Sequence, residues 1–261
     1  LSSGTVSDST TVWMEGFDDW MPMSDARAAE GAAADALRAV LEAAKAAAQP
    51  TLFVDCNAVN PSKAIQLAED FDVAGVPFVD GGIIGPPPGN SAMPRLYLSG
   101  PEAARAGALN IPGVSLRVLG PAIGEASALK LCFSAANKGL DALLGSALMA
   151  AHHYGLAEWL AAEFEESRPE IHLRLMKSMP TVASKAARFT DEMLEIASMF
   201  AEAGLSRGFH EGASDFYSLA AASDQSGENR DANNQDMPYL TTIEALFESL
   251  RRRAPKKAAR S

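Results

Sequence analysis

The stretch Gly124-Glu-Ala-Ser-Ala-Leu-Lys130-Leu-Cys-Phe-Ser134-Ala-Ala-Asn137-Lys138 separates two kinds of sequence. Before it, short apolar runs alternate with helix-like segments; after it no strand-like run returns. It opens a helix predicted from Ala126 to about His153, on the order of 40 Å long at 1.5 Å per residue. Ser127, Lys130, Ser134, Asn137, Lys138 and Asp141 recur at spacings of three and four, which stacks them on one helix face. Such a stripe lines a cleft or faces solvent. Lys130, among small and apolar residues, is the candidate for chemistry. Apolar surroundings lower an amine's pKa from ~10.4 toward the range where it can exchange protons near neutrality.

Working outward toward the N-terminus, Ser115 to Leu119 and Arg95 to Ser99 read as strands, with a short helix from Pro101 to Ala108 between them. Gly81-Gly-Ile-Ile-Gly85-Pro-Pro-Pro88-Gly89 reads as a loop, because consecutive prolines fit neither a helix interior nor a paired central strand. Val76 to Asp80 and Thr51 to Asp55 are further strand candidates. The segment from Pro61 to Phe71 suits a helix, with Asn60 as its cap and Pro61 in its first turn. A helix rich in Ala is predicted from Asp25 to Ala48, ended by Pro50. Alternating helices and strands are the rhythm of an α/β sheet. The first 24 residues show no period, and the chain opens on Leu1, which reads as a fragment or a misread start.

Toward the C-terminus, helices are predicted at Leu156 to Glu166, Glu170 to Met179, Thr181 to Ala203 and Phe216 to Ala222. The segment from Ser223 to Asp236 is polar throughout and reads as a flexible linker. Tyr239 to Arg253 suits a last amphipathic helix. A basic tail follows, readable as a targeting or anionic-surface patch or as a solvated terminus. The domains expected are an irregular segment (1–24), an α/β part (25–121), an all-helical domain (122–222), and a linker with a short helix and tail (223–261).

With 33 acidic against 22 basic residues, the net charge of −11 disfavours a nonspecific nucleic-acid surface. No apolar run approaches the ~18 residues of a membrane span. The N-terminus lacks the layout of a signal peptide, so a cytoplasmic protein is expected. Cys56 and Cys132 fit reduced, buried small hydrophobes better than a disulfide or a metal site. His152 and His153 are adjacent on a helix and diverge by about 100°, so they cannot serve one metal. Glu192 and Glu195 read as a solvated face, and no metal site is expected. His210, in Gly208-Phe-His-Glu-Gly212, lies between predicted helices. There a loop could bring a titrating imidazole to a cleft, or the ring could simply cap or fill the core.

Phe53-Val-Asp-Cys-Asn-Ala-Val-Asn-Pro61, Phe78-Val-Asp-Gly-Gly-Ile-Ile-Gly-Pro-Pro87, Ala126-Ser-Ala-Leu-Lys130 and Gly208-Phe-His-Glu-Gly212, in this order, resemble the 6-phosphogluconate dehydrogenase and 3-hydroxyisobutyrate (β-hydroxyacid) dehydrogenase superfamily. The likeness runs roughly from Ala29 to Ala222 and is greatest to a phosphogluconate dehydrogenase-like branch with a distinctive C-terminal domain. The resemblance implies an α/β N-terminal part, an incomplete Rossmann-like sheet, followed by an all-α C-terminal domain. It implies NADP or NAD as cofactor, a small hydroxy-acid substrate, and a homodimer through the helical domain. It makes Lys130 the general acid/base, with Ser134 or Asn137 orienting substrate. Asp55, Cys56, Asn57 and Ala58 fall at the nicotinamide half of the cofactor, and Gly81, Gly82, Gly85 and His210 at the substrate.

The chain also departs from that pattern. Ser134 stands one turn after the lysine where better-known members have asparagine, and Asn137 lies a further turn along the same face. Ile84 and Pro86 replace the serine and the second glycine of the substrate loop, which points to a different substrate or none. No G-x-G-x-x-G occurs, so the element that seats a dinucleotide pyrophosphate on a helix N-terminus is not found. A second expectation therefore stands beside the enzyme, that of a non-catalytic fragment or remnant acting as a dimerising helical module.

Overall fold

A computed structural model describes residues 52–86, 93–223 and 238–253. These form two compact units that meet in sequence between Phe133 and Ser134. The division falls twelve residues past the domain boundary expected after residue 121, inside a continuous helix. The helix predicted at 25–48, the linker beyond Ser223 and the basic tail lie outside the described residues.

In the first unit four strands lie in the order β1 (Phe53–Asp55), β2 (Phe78–Ile84), β3 (Arg95–Ser99) and β4 (Ser115–Gly120). β1 and β2 are parallel, β2 and β3 antiparallel, and β3 and β4 parallel. Helix α1 (Pro61–Val73) connects β1 to β2 and begins as the sequence predicts, with the Asn60 side chain accepting from the Ser62 N–H at 2.9 Å. Short α2 (Ala103–Gly107) connects β3 to β4. Val54, Val79, Leu96 and Leu98 pack with Ala103 and Ala106 in one core cluster. Phe71, Val76 and Phe78 form a second, joined by Phe53, whose ring stacks on Phe71 at 4.3 Å between centroids.

One expectation is corrected here. Gly81 to Ile84 form the second half of β2, paired in register with Leu98, Tyr97, Leu96 and Arg95 of β3, and are not a loop. Glycines weaken a strand, yet they permit one where other backbone approaches closely. The strand stops at Gly85, whose φ of +126° favours glycine. Residues 87–92 lie outside the description.

Helix α3 (Glu125–His153) starts in the first unit and continues into the second. The second unit adds α4 (Ala157–Ser167), α5 (Pro169–Ser178), a 3₁₀ turn (Met179–Thr181), α6 (Val182–Glu202), α7 (Gly208–Ala221) and α8 (Tyr239–Arg253). α6 and α7 run back along each other, so that Phe200 meets His210 and Phe189 meets Tyr217. Leu175, Met179, Met193, Ile196, Ile243 and Leu246 are fully buried. α7 begins at Gly208, well before the predicted Phe216, because Gly208 and Gly212 mask a helical segment whose His210, Ala213 and Phe216 face inward. No described helix is long and apolar enough to cross a membrane.

Candidate functional site

The site begins with a carboxylate that the sequence reading passed over. Asp80, at mid-β2, is buried, and its Oδ2 accepts from the backbone N–H of Gly124 and of Ser127, both at 3.0 Å, and from the Ser99 hydroxyl at 2.9 Å. Its Oδ1 accepts from the Ser127 hydroxyl at 2.6 Å. Ser99 in turn accepts from the Ala126 N–H at 3.0 Å. The first amides of a helix have no partners within it and carry its positive end. Asp80 and Ser99 satisfy them from the sheet, which is why the first turns of α3 belong to the first unit. Ser127 therefore turns inward and does not join a solvent-facing stripe. The available signal was one acidic residue closing the apolar run Val76 to Val79.

Lys130 follows one turn later, half-buried. A Cβ on Gly82 would lie 2.6 Å from the Ala126 carbonyl oxygen and 3.2 Å from the Lys130 Cβ. A Cβ on Gly81 would lie 2.7 Å from the Asp55 carbonyl oxygen and 3.0 Å from the Cys56 Sγ. These two glycines, expected to grip substrate, are filled around by the protein's own atoms. They bring the end of β1 and the first turns of α3 against β2. Gly85 is exposed at the strand's end, with Pro94 beside it.

Asp55, the last residue of β1, lies in register with Asp80 and is 5% exposed. Burial pushes its carboxyl above the usual carboxylate range. The Asn57 N–H and amide oppose that by donating to Oδ1 at 3.2 and 2.5 Å; Asp80 adds to the rise and Lys130 counters it. The Cys56 thiol, part-buried, is pushed up to about 12 by burial and by Asp55, with Lys130 again opposing. A thiol so protonated is no nucleophile. Asn57 is exposed and Ala58 half-buried, just past β1. Asp55, Cys56, Gly81, Gly82 and Lys130 are thus brought together within the first unit.

The remaining candidates belong to the second unit. Ser134 is buried. Asn137 is engaged by Arg174 of α5, which donates to its carbonyl oxygen at 2.5 Å and its side-chain oxygen at 3.4 Å, and to Asp141 at 2.7 Å. Lys138 pairs with Glu192 and stands over the Phe189 ring, 4.1 Å from its centroid. Glu192 is therefore not on a solvated face, as its helical spacing suggested. The polar stripe of α3 holds neighbouring helices. His210 is the third residue of α7 and not part of a loop. It is 3% exposed, between Phe200 and Phe209, and its Nδ1 has no partner among the described residues. Burial lowers its pKa, and a bond to the Ala135 carbonyl partly opposes this. Cys132 is exposed, contrary to expectation.

Among the described residues no cluster has the makings of a metal site. For a dinucleotide, the fit is to one end. Cys56, Asn57 and Ala58 follow the carboxyl end of a parallel strand, where open α/β sheets bind ligands. Nothing comparable for a pyrophosphate stands among the described residues.

Residues 151–219 match a family model described as a domain of unknown function, DUF1932. A conserved hypothetical protein from Sinorhizobium meliloti 1021 superposes with a TM-score of 0.63 at 25% identity, over 81% of this chain and 72% of that one. A conserved protein described for its structural similarity with 3-hydroxyacid dehydrogenases gives 0.54 at 27% identity, over 73% and 72%. Mycobacterium tuberculosis 3-hydroxyisobutyrate dehydrogenase, solved with L-serine, gives 0.53 over 81% and 76%, at 19% identity, a likeness of fold. No curated protein matches the sequence significantly. With a small sheet followed by helices, the chain is similar in fold to 3-hydroxyacid dehydrogenase-like proteins. Its fold is that of 3-hydroxyisobutyrate dehydrogenase.

Proposed function

We propose that the chain is an NAD(P)-dependent oxidoreductase of the β-hydroxyacid dehydrogenase type acting on a small hydroxy acid. The reading is carried by Lys130, whose stem lies against Gly82 and whose charge reaches Asp55 and Cys56 at the end of β1. The cofactor, when bound, supplies or accepts the hydride. By resemblance, Lys130 exchanges the hydroxyl proton, Ser134 or Asn137 orients substrate, and Cys56, Asn57 and Ala58 border the nicotinamide. Gly85 stays assigned to the substrate side by resemblance. The protein works in the cytoplasm, in keeping with its two free cysteines. It acts as a homodimer, its partner covering apolar surface of the helical unit where Tyr154 and Trp159 are 74% and 75% exposed.

Titration with NADPH and with NADH, followed by nicotinamide fluorescence, tests this. Saturable micromolar binding is expected, and Lys130→Ala should keep the binding while turnover collapses; equal loss of both would refute the proton-transfer role. A second reading, a dimerising helical module without cofactor, is favoured by the engagement of Asn137 with Arg174 and of Lys138 with Glu192 inside the helical unit. It predicts no binding of either nucleotide and an intact dimer by sedimentation.

A further inference from the structure

Three observations converge on Asp55. It is a carboxylate almost closed off from water at the end of β1, in register with a second carboxylate, Asp80. Asp80 is committed, with four donors on its two oxygens. Asp55 differs: its two bonds from Asn57 both fall on Oδ1, and both come from a residue two positions on in its own chain. Finally, by strand alternation Asp55, Asp80 and Gly82 share one face of the sheet, against which Ser127 bonds Asp80 and the stem of Lys130 lies on Gly82, and Lys130 is a cation whose charge acts on Asp55.

We propose that Asp55 is a positioning residue for Lys130, its carboxylate drawing the amine to the end of β1 and favouring the protonated, proton-donating form. Among the described residues, Cys56 on β1's flank and Asp80 on β2 are the other titratable groups acting on Asp55. Cys56 is an un-ionised thiol, and Asp80 is occupied by the first turn of α3, so neither takes over the task. An ammonium held this way donates its proton to the oxygen of a carbonyl as hydride arrives at carbon. The site is therefore set for reduction of an oxo acid more than for oxidation of the hydroxy acid. That bearing on turnover rests on the oxidoreductase reading above; the titration of the amine does not.

Acetylation of the full chain with acetic anhydride over a pH series, with the Lys130 peptide followed by mass spectrometry, reads the amine directly. Removing a neighbouring opposite charge lowers an amine's midpoint, so Asp55→Asn should raise labelling below the midpoint, roughly tenfold for a shift of about one pH unit. Asp55→Glu should restore it. Folded Asp55→Asn with an unmoved midpoint overturns the assignment. Should Asp55→Asn fail to fold, Asn57→Ala, at an exposed position, removes the side-chain bond that favours the carboxylate and leaves the backbone one. It should shift the midpoint the same way by a smaller step, and no shift there overturns the assignment as well. An inactive chain with the shifted midpoint refutes the oxidoreductase reading alone.

Discussion

Ser127 gives both of its donors to Asp80, the hydroxyl to Oδ1 at 2.6 Å and the backbone N–H to Oδ2 at 3.0 Å. Through this pair of hydrogen bonds a strand fixes the start of the helix that carries Lys130. Hydrogen bonds to a charged partner are worth about 1.5–3 kcal/mol each, and a buried donor left without one adds its own penalty. Asp80→Ala should therefore cost more than about 3 kcal/mol in urea unfolding, whereas Ser127→Ala, which removes one donor, should cost about 1–2 kcal/mol.

Gly82→Ala would drive a methyl group into the Ala126 carbonyl, at 2.6 Å, where backbone on both sides cannot yield cheaply. A loss of about 1–3 kcal/mol is expected from the overpacking. Gly212, inside α7 with nothing within 4 Å of its would-be Cβ, is the contrasting site. Gly212→Ala should raise stability by up to about 1 kcal/mol through helix propensity. Denaturant midpoints of the two variants should move in opposite directions.

His210 gives folding a pH dependence of definite sign. Its folded pKa lies below 6.5, so the unfolded chain binds the proton more readily. Its contribution to stability is full above pH 6.5 and is lost as pH falls through the lowered folded value. Thermal melting between pH 7.5 and 5 should show this slope, and His210→Leu should flatten it. A slope unchanged in the variant would assign it to other groups.

The Lys138–Glu192 pair is mostly shielded, with side-chain exposures of 22% and 11%. Lys138→Met strands a carboxylate among helices and should cost about 2 kcal/mol, less than for a fully buried pair because Lys138 keeps some water. The double variant with Glu192→Leu should recover much of that loss. Simple additivity in the double-mutant cycle would mean the pair does not couple.

The elements that could be read from sequence are those whose signals are local. Asn60 followed by Pro61 placed the start of α1, and alternation of apolar runs placed β3 and β4 within a residue. The long α3 and the terminal α8 were legible from period and composition. What escaped depends on partners far along the chain. Gly81 and Gly82 look like a turn until the carbonyls of Asp55 and Ala126 are seen pressing on them. Asp80 gains its role from residues up to 47 positions away, and Glu192 from Lys138, 54 away. The candidate lysine was legible as an amine in apolar company, but its carboxylate neighbour was not, because only the sheet brings β1 beside β2.

The capping of α3 from β2 and β3 makes the helix's beginning a gauge of the sheet. An ordinary helix frays first at its ends, and its leading amides trade protons with solvent fastest. The amides of Gly124, Ala126 and Ser127 are bound instead to Asp80 and Ser99. Their deuterium uptake should be slow and should track separation of the strands, so three backbone sites at a helix tip report when the first unit opens.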